Sequence, residues 1–200
     1  MKYERIERAT FLERPNRFIA YARIAGKQET IHVKNTGRCA ELLVPEAEIF
    51  VQESDNPERK TKWDLIGVRK GNRLINMDSQ IPNKVVEEWL RAGNLFLEPV
   101  TVRPETTYGN SRFDFYVESG EKKAFIEVKG VTLEEDGVVR FPDAPSERAV
   151  KHMEELIRAK KEGYDAYVFL VIQMKGVRYF TPNMDCLLYT SPSPRDVEES

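Results

Sequence analysis

The apolar residues of this 200-residue chain change their spacing near residue 80, and that change constrains the fold more than any other feature. Up to about Leu74 they come in short runs broken by turn residues. In Phe18, Ala20, Ala22 and Ile24 every second residue is apolar, the period of a strand with one buried face. Beyond Ser79-Gln80-Ile81-Pro82-Asn83 the period lengthens. KVVEEWLRAG places Val85, Val86, Trp89 and Leu90 on one side of a helix that Asn83 would cap and Gly93 would end. One uniform architecture cannot satisfy both patterns, so a β part over 1–80 and an α/β part over 81–185 are expected.

The first part holds about five short strands. Ala25-Gly26-Lys27 reads as a tight turn and Ser54-Asp55-Asn56-Pro57 as a loop tip. Five strands joined by polar turns suggest a small closed barrel of the oligonucleotide-binding (OB) kind. In the second part the helix is followed by three strands, in LEPVTVRPE, SRFDFYVES and KKAFIEVKGVTL, and then by a polar loop. The segment SERAVKHMEELIRAKKEG reads as a second helix, capped by Ser146, with Ala149, Val150, Met153, Leu156 and Ile157 as its apolar stripe. The strongly apolar YDAYVFLVIQMK should be a strand covered on both faces. Helix, strands, helix, strand describes an α/β domain with a mixed sheet.

Composition adds bounds. Apolar residues make up 40% and charged residues 32%, the proportions of an ordinary globular protein. No run approaches the ~18–20 apolar residues of a bilayer span, and KYERIERATF after Met1 has no apolar stretch of a secretory signal. Two cysteines, Cys39 and Cys186, are too few for a disulfide framework or a cysteine zinc site. A cytoplasmic protein with no membrane partner is expected. The net charge of −2 divides unevenly, +3 over residues 1–80 and −5 over the remainder. A basic part beside an acidic one suits phosphate binding next to cation binding, although mixed charges also simply solvate a surface.

The stretch SRFDFYVESGEKKAFIEVKG carries the chemistry. It reads as a hairpin turning at Ser119-Gly120-Glu121. Phe125, Glu127 and Lys129 share one face of its second strand, and Asp114 points away from Phe113 and Phe115 in the first. If the faces match, two carboxylates and an ammonium converge. Carboxylates so close repel unless a cation lies between them, and Mg²⁺ or Mn²⁺ accepts one or two carboxylates with water completing its shell. Lys129 would then orient or deprotonate a water attacking a phosphodiester. The other reading is a solvated hairpin, since E-x-K is common on exposed strands. Glu87 or Glu88 from the preceding helix could add a third carboxylate. Gln173, inside an apolar run, needs a partner and could reach the lysine or a phosphate. Arg148, Lys151 and His152 could line the approach to the site, although they also read as an exposed basic helix face, and His32 has no evident partner. In the first part, Asn35-Thr36-Gly37 with Arg38 makes a candidate phosphate seat in which Gly37 would take positive φ. Phe11, Phe18 and Tyr21 interleave with Arg14, Arg17 and Arg23 as a single-strand stacking surface would, or as barrel core. The candidate DNA contacts are Arg14, Arg17, Asn35, Thr36, Arg38, Arg112 and Gln173.

The last stretch, 186–200, breaks every pattern. CLLYTSPSPRD resembles the in-frame translation of a transposon-type sequencing adapter, so a truncated α/β domain with a non-native tail is expected.

Over residues 3–185 the chain resembles the sugar fermentation stimulation (SfsA) family. FLERPNRFIA, HVKNTGRCAELLVP, KTKWDLIGV, INMDSQIPNKVVEEWL, TYGNSRFDFYV, AFIEVKGVTL, FPDAPSERAVKHMEEL and QMK with FTPN carry the likeness. The resemblance implies an N-terminal OB-like barrel, a restriction-endonuclease-like C-terminal domain of the PD-(D/E)xK kind, and DNA binding. The family name stems from maltose metabolism and implies a regulatory role. In that nuclease superfamily the metal carboxylates and the lysine correspond to Asp114, Glu127 and Lys129, with Glu87 as an additional ligand. Regulation and Mg²⁺-dependent cleavage both remain open, whereas a sugar-converting enzyme would need a glycine-rich nucleotide loop or sugar site that the sequence lacks.

Overall fold

The computed structural model describes residues 2–96 and 99–188. The segment set apart at 186–200 lies outside the described residues from 189 on. The chain forms two compact units. Of the described residues, the first comprises 2–81 with 132–139 and 172–180, and the second 82–96, 99–131, 140–171 and 181–188.

The first unit is built on β1 (Ile6–Glu13), β2 (Ile19–Ile24), β3 (Lys27–Val33), β4 (Glu48–Glu53), β5 (Trp63–Lys70) and β6 (Arg73–Asn76). Their order is β3-β2-β1-β4-β5-β6, and β3 also pairs with β5, parallel, through Ile31↔Trp63 to Val33↔Leu65. That pairing closes β1 to β5 into the expected five-stranded barrel, and β6 is added alongside β5. Ala25 and Gly26, with φ of 48° and 79°, make the two-residue turn between β2 and β3. Positive φ at both positions matches the twist of the flanking strands. Ala20, Ala22, Ile31, Val33, Ile49, Val51, Leu65 and Val68 fill the barrel. Phe11 is 2% exposed and belongs to that core, whereas Phe18 is 52% exposed and breaks the expected alternation.

The second unit contains α1 (Ile81–Arg91), β7 (Thr101–Tyr108), β8 (Ser111–Ser119) and β9 (Lys122–Val131). Next along the chain are β10 (Glu134–Glu135) and β11 (Val138–Phe141), a hairpin where only a polar loop is expected from sequence. They are followed by α2 (Glu147–Lys161), β12 (Asp165–Ile172), β13 (Tyr179–Pro182) and α3 (Met184–Leu188). The main sheet runs β12-β9-β8-β7, with β8 antiparallel to both β7 and β9. The helix between β9 and β12 is the crossover of a mixed α/β sheet.

α1 covers one face of the sheet with Val86 and Leu90 against Phe115, Val117, Ile126 and Val128. α2 covers the other with Leu156 and Ala159 against Phe113, Tyr116 and Phe125. Ser146 caps α2, its hydroxyl accepting the Ala149 N–H at 3.3 Å. Its apolar stripe is rotated from the expected one. His152, Leu156 and Ala159 are buried and Ile157 is 56% exposed. β12 is an edge strand rather than a doubly covered one, and Val168 and Leu170 are exposed on it.

Candidate metal centre

Asp114 and Glu127 stand on neighbouring strands. The β8–β9 pairing runs from Ser119↔Lys122 to Phe115↔Ile126, and Asp114 and Glu127 are the next residues of the two strands. The side-chain alternation slips at this step, because Phe113 belongs to the cluster under α2 and Phe115 to the cluster under α1. The β7–β8 ladder likewise skips Asp114, opposite Glu105 at φ 54°. An irregular step frees the Asp114 carboxylate to turn inward, where its Oδ2 accepts the Val128 N–H at 2.7 Å.

A helix reaches each carboxylate. From α1, Asn83 Nδ2 donates to Asp114 Oδ1 at 2.7 Å. Asn83 is therefore not the helix cap expected from sequence. The helix starts at Ile81, and Asp78 serves its entrance by accepting the Gln80 N–H on Oδ1 and the Ile81 N–H on its carbonyl. From α2, His152 Nδ1 lies 2.8 Å from Glu127 Oε1. Lys129 Nζ donates to the same oxygen at 2.5 Å. Glu127 Oε2 is buried and has no hydrogen-bond partner among the described residues. Burial holds the Asp114 carboxyl above the usual carboxylate range. The Val128 N–H opposes that shift and the nearby charge of Glu127 adds to it. Two acidic groups that sense each other, one with a buried oxygen that no described residue reaches, leave the site incompletely satisfied.

These residues fit a hard divalent cation. A bare carboxylate oxygen is the donor such an ion takes, and the Asp114 oxygens each accept a single hydrogen bond and keep a lone pair free. Among the described residues no group of three or more His, Cys, Asp or Glu side chains is arranged to hold a metal. The third-carboxylate expectation for Glu87 is corrected accordingly, because Glu87 Oε1 accepts from Arg91 Nε and Nη2 at 3.0 and 2.7 Å. Two carboxylates, with water and substrate oxygens making up the rest, are what Mg²⁺ commonly uses.

Other expected contacts fall elsewhere. Gln173 is buried and gives its amide N–H groups to Asn76 O, Asn76 Oδ1 and Asp78 O at 3.1–3.3 Å, so it ties down a loop of the first unit instead of meeting Lys129. Arg14, expected as a phosphate contact, turns its donors to the backbone of its own loops. Its guanidinium donates to the carbonyls of Asn16, Arg17, Asn35, Gly37 and Arg38, which engages its whole donor set and joins two loops. The Asn35 side chain accepts the Gly37 N–H at 2.9 Å, and the positive φ of this loop is at Cys39, not Gly37. Thr36, Arg38 and Arg17 are exposed, with the Arg17 guanidinium 5.9 Å from the Phe18 ring centroid. Arg112 is exposed and pairs with Glu105 at 2.9 Å. His32 has a partner after all, Asp64 Oδ1 at 3.1 Å. Two clefts of the first unit, of about 780 and 640 Å³, are lined by none of Asp114, Glu127 and Lys129.

No helix among the described residues is long and apolar enough to cross a membrane. Residues 12–77 match the family model of the SfsA N-terminal OB domain, and residues 80–187 that of the sugar fermentation stimulation protein RE domain. A sugar fermentation stimulation protein homolog of Clostridium beijerinckii is 63% identical over 185 residues, covering 92% of this chain and 82% of that one. One from Desulfitobacterium hafniense is 62% identical over 184 residues, covering 92% and 80%. Among solved structures, Pyrococcus furiosus SfsA in complex with Ca²⁺ superposes with a TM-score of 0.84 at 27% identity, covering 93% of this chain and 80% of that one. With a barrel matching the OB model, an α/β unit matching the RE model, and relatives above 60% identity over nine tenths of its length, the chain belongs to the sugar fermentation stimulation protein family.

Proposed function

We propose that this protein binds DNA and hydrolyses its phosphodiester bonds at a Mg²⁺ or Mn²⁺ site formed by Asp114 and Glu127. The observation that carries the reading is the buried, partnerless Oε2 of Glu127 beside a second carboxylate. A solvated hairpin would hide neither group. The Ca²⁺ of the Pyrococcus furiosus relative supports the reading, since Ca²⁺ and Mg²⁺ share oxygen ligands.

A divalent cation held there would neutralise charge developing on the phosphoryl oxygens during displacement. Lys129 directs one N–H to Glu127 Oε1, which leaves two to hold an attacking water or a phosphate oxygen. Asn83 and the Val128 N–H keep the Asp114 carboxylate fixed. On the barrel, Arg17, Phe18, Thr36 and Arg38 are exposed and suit backbone contact and base stacking.

The test is incubation of labelled single- and double-stranded DNA with the protein in Mg²⁺ or Mn²⁺, beside Asp114→Ala and Lys129→Ala. Cleavage that both substitutions abolish establishes the nuclease. Retention of DNA without cleavage favours the other reading, a DNA-binding module whose site only contacts phosphate, as a regulator of sugar (maltose) metabolism genes would need. Binding that is unchanged between low and high salt contradicts both.

A further inference from the structure

We propose that His152 is the positioning residue for Glu127: from α2 it holds Oε1, so that Oε2 is the oxygen offered to the cation. The inference rests on the reading of Asp114 and Glu127 as cation ligands and assigns a helix residue to that site.

His152 is 7% exposed. Its Nδ1 lies 2.8 Å from Glu127 Oε1, and an ionised carboxylate only accepts, so Nδ1 carries the hydrogen. The ring stands edge-on to Phe113, centroids 6.1 Å apart at 78°, and Leu156, one turn along α2, is buried in the same cluster as Phe113. The ring therefore has little freedom to rotate. Lys129 also donates to Oε1, but its side chain is 24% exposed on a flexible stem and is the group expected to turn towards substrate. Two donors on one oxygen and none on the other make the Glu127 carboxylate asymmetric. Hydrogen bonds of this kind to a ligating carboxylate set its orientation, and their loss typically weakens metal binding by about 10–100-fold.

The experiment is a calorimetric titration of Mn²⁺ into the whole chain without DNA, paired with melting curves recorded without the cation. Wild type binds Mn²⁺ and Asp114→Asn abolishes binding. His152→Leu weakens the affinity by about tenfold or more. His152→Asn, whose amide N–H stands where Nδ1–H stood, retains most of the affinity, and His152→Gln, which places its N–H at the other ring nitrogen, does not. If His152→Leu melts too low to titrate, the Asn and Gln variants decide. Equal affinities for those two, or an unchanged affinity in His152→Leu while Asp114→Asn abolishes binding, would overturn the role of His152 and leave the ligand assignment standing. Binding that survives Asp114→Asn, or no binding by wild type, overturns the ligand assignment and the role of His152 together.

Discussion

Two buried glutamates, one in each unit, show what separates a structural carboxylate from a working one. Glu134 of the first unit is 2% exposed, and both its oxygens are engaged. Arg73 Nη1 donates to Oε1 at 2.8 Å, Lys70 Nζ lies 3.2 Å from Oε2, and the Gly137 N–H also donates to Oε1. Burial alone would push its pKa up. The Gly137 N–H, Lys70 and Arg73 outweigh that effect and hold it below the usual range. Glu127 of the second unit is 3% exposed and has one oxygen without a donor, while its charge helps keep Asp114 above the usual range. Local structure stabilises the ionised form of Glu134, whereas burial, with Glu127 nearby, opposes ionisation of Asp114. Only the second arrangement keeps a carboxylate oxygen that a cation could use.

Substitutions can break this contrast. The largest effect is expected at Glu134. Glu134→Gln strands Lys70 and Arg73, and breaking a fully buried pair costs ~3–5 kcal/mol. Their side chains are 34% and 28% exposed and can turn to water, so about 2–3 kcal/mol is expected from urea denaturation. Glu127→Gln keeps an acceptor for His152, leaves Lys129, 24% exposed, able to turn to water, and removes a repulsion with Asp114, so the same measurement should move by less than about 1 kcal/mol. A drop at Glu127 matching that at Glu134 would abolish the distinction.

Arg14→Lys comes next. A point charge cannot serve five carbonyls, and about 1 kcal/mol should be lost as the part-buried contacts to Gly37 and Asn35 go unmet. DNA affinity is expected to follow only through that lost stability.

Asp114→Asn is smaller and pH-dependent. A carboxyl whose folded pKa is raised binds its proton more tightly folded than unfolded. Its penalty is therefore absent in acid and grows as pH rises through the carboxylate range to the raised value. The Asn variant should gain from a few tenths to about 1 kcal/mol at neutral pH, with the gap closing on acidification. Glu134 has the opposite sign. Its stabilisation is present above the ordinary carboxylate range and is lost as pH falls below it. Melting temperatures against pH for wild type, Asp114→Asn and Glu134→Gln check both directions.

Smallest for stability are Arg17→Ala and Arg38→Ala, which should leave the melting temperature unchanged. Each should reduce the slope of log affinity for DNA against log salt by about 1.

The barrel, the hairpin and the E-x-K spacing were legible in the sequence because they follow from period two and from turn residues, which are local. His152 was not. Helical arithmetic alone places Ala149, Val150, Met153, Leu156 and Ile157 inward. The observed rotation buries His152 instead, where Glu127 of a distant strand accepts its hydrogen bond. Asn83 had the residue type of a cap, and only the start of the helix at Ile81 turned it towards Asp114. Arg14 was out of reach for another reason. Its partners are main-chain carbonyls, which every sequence supplies and none advertises.

The first unit is not contiguous in the chain, and this bears on its synthesis. Its opening stretch ends at Ile81, yet Lys70 and Arg73 find their counter-charge only at Glu134, and the Asn76–Asp78 loop finds its amide donor only at Gln173. A ribosome releases the barrel strands roughly a hundred residues before the last of these partners. In the interval the nascent barrel carries unmatched charges and an untied exit loop. A gene cut after residue 80 would leave that interim state permanent, so a recombinant barrel should be made with the two later segments spliced back onto it.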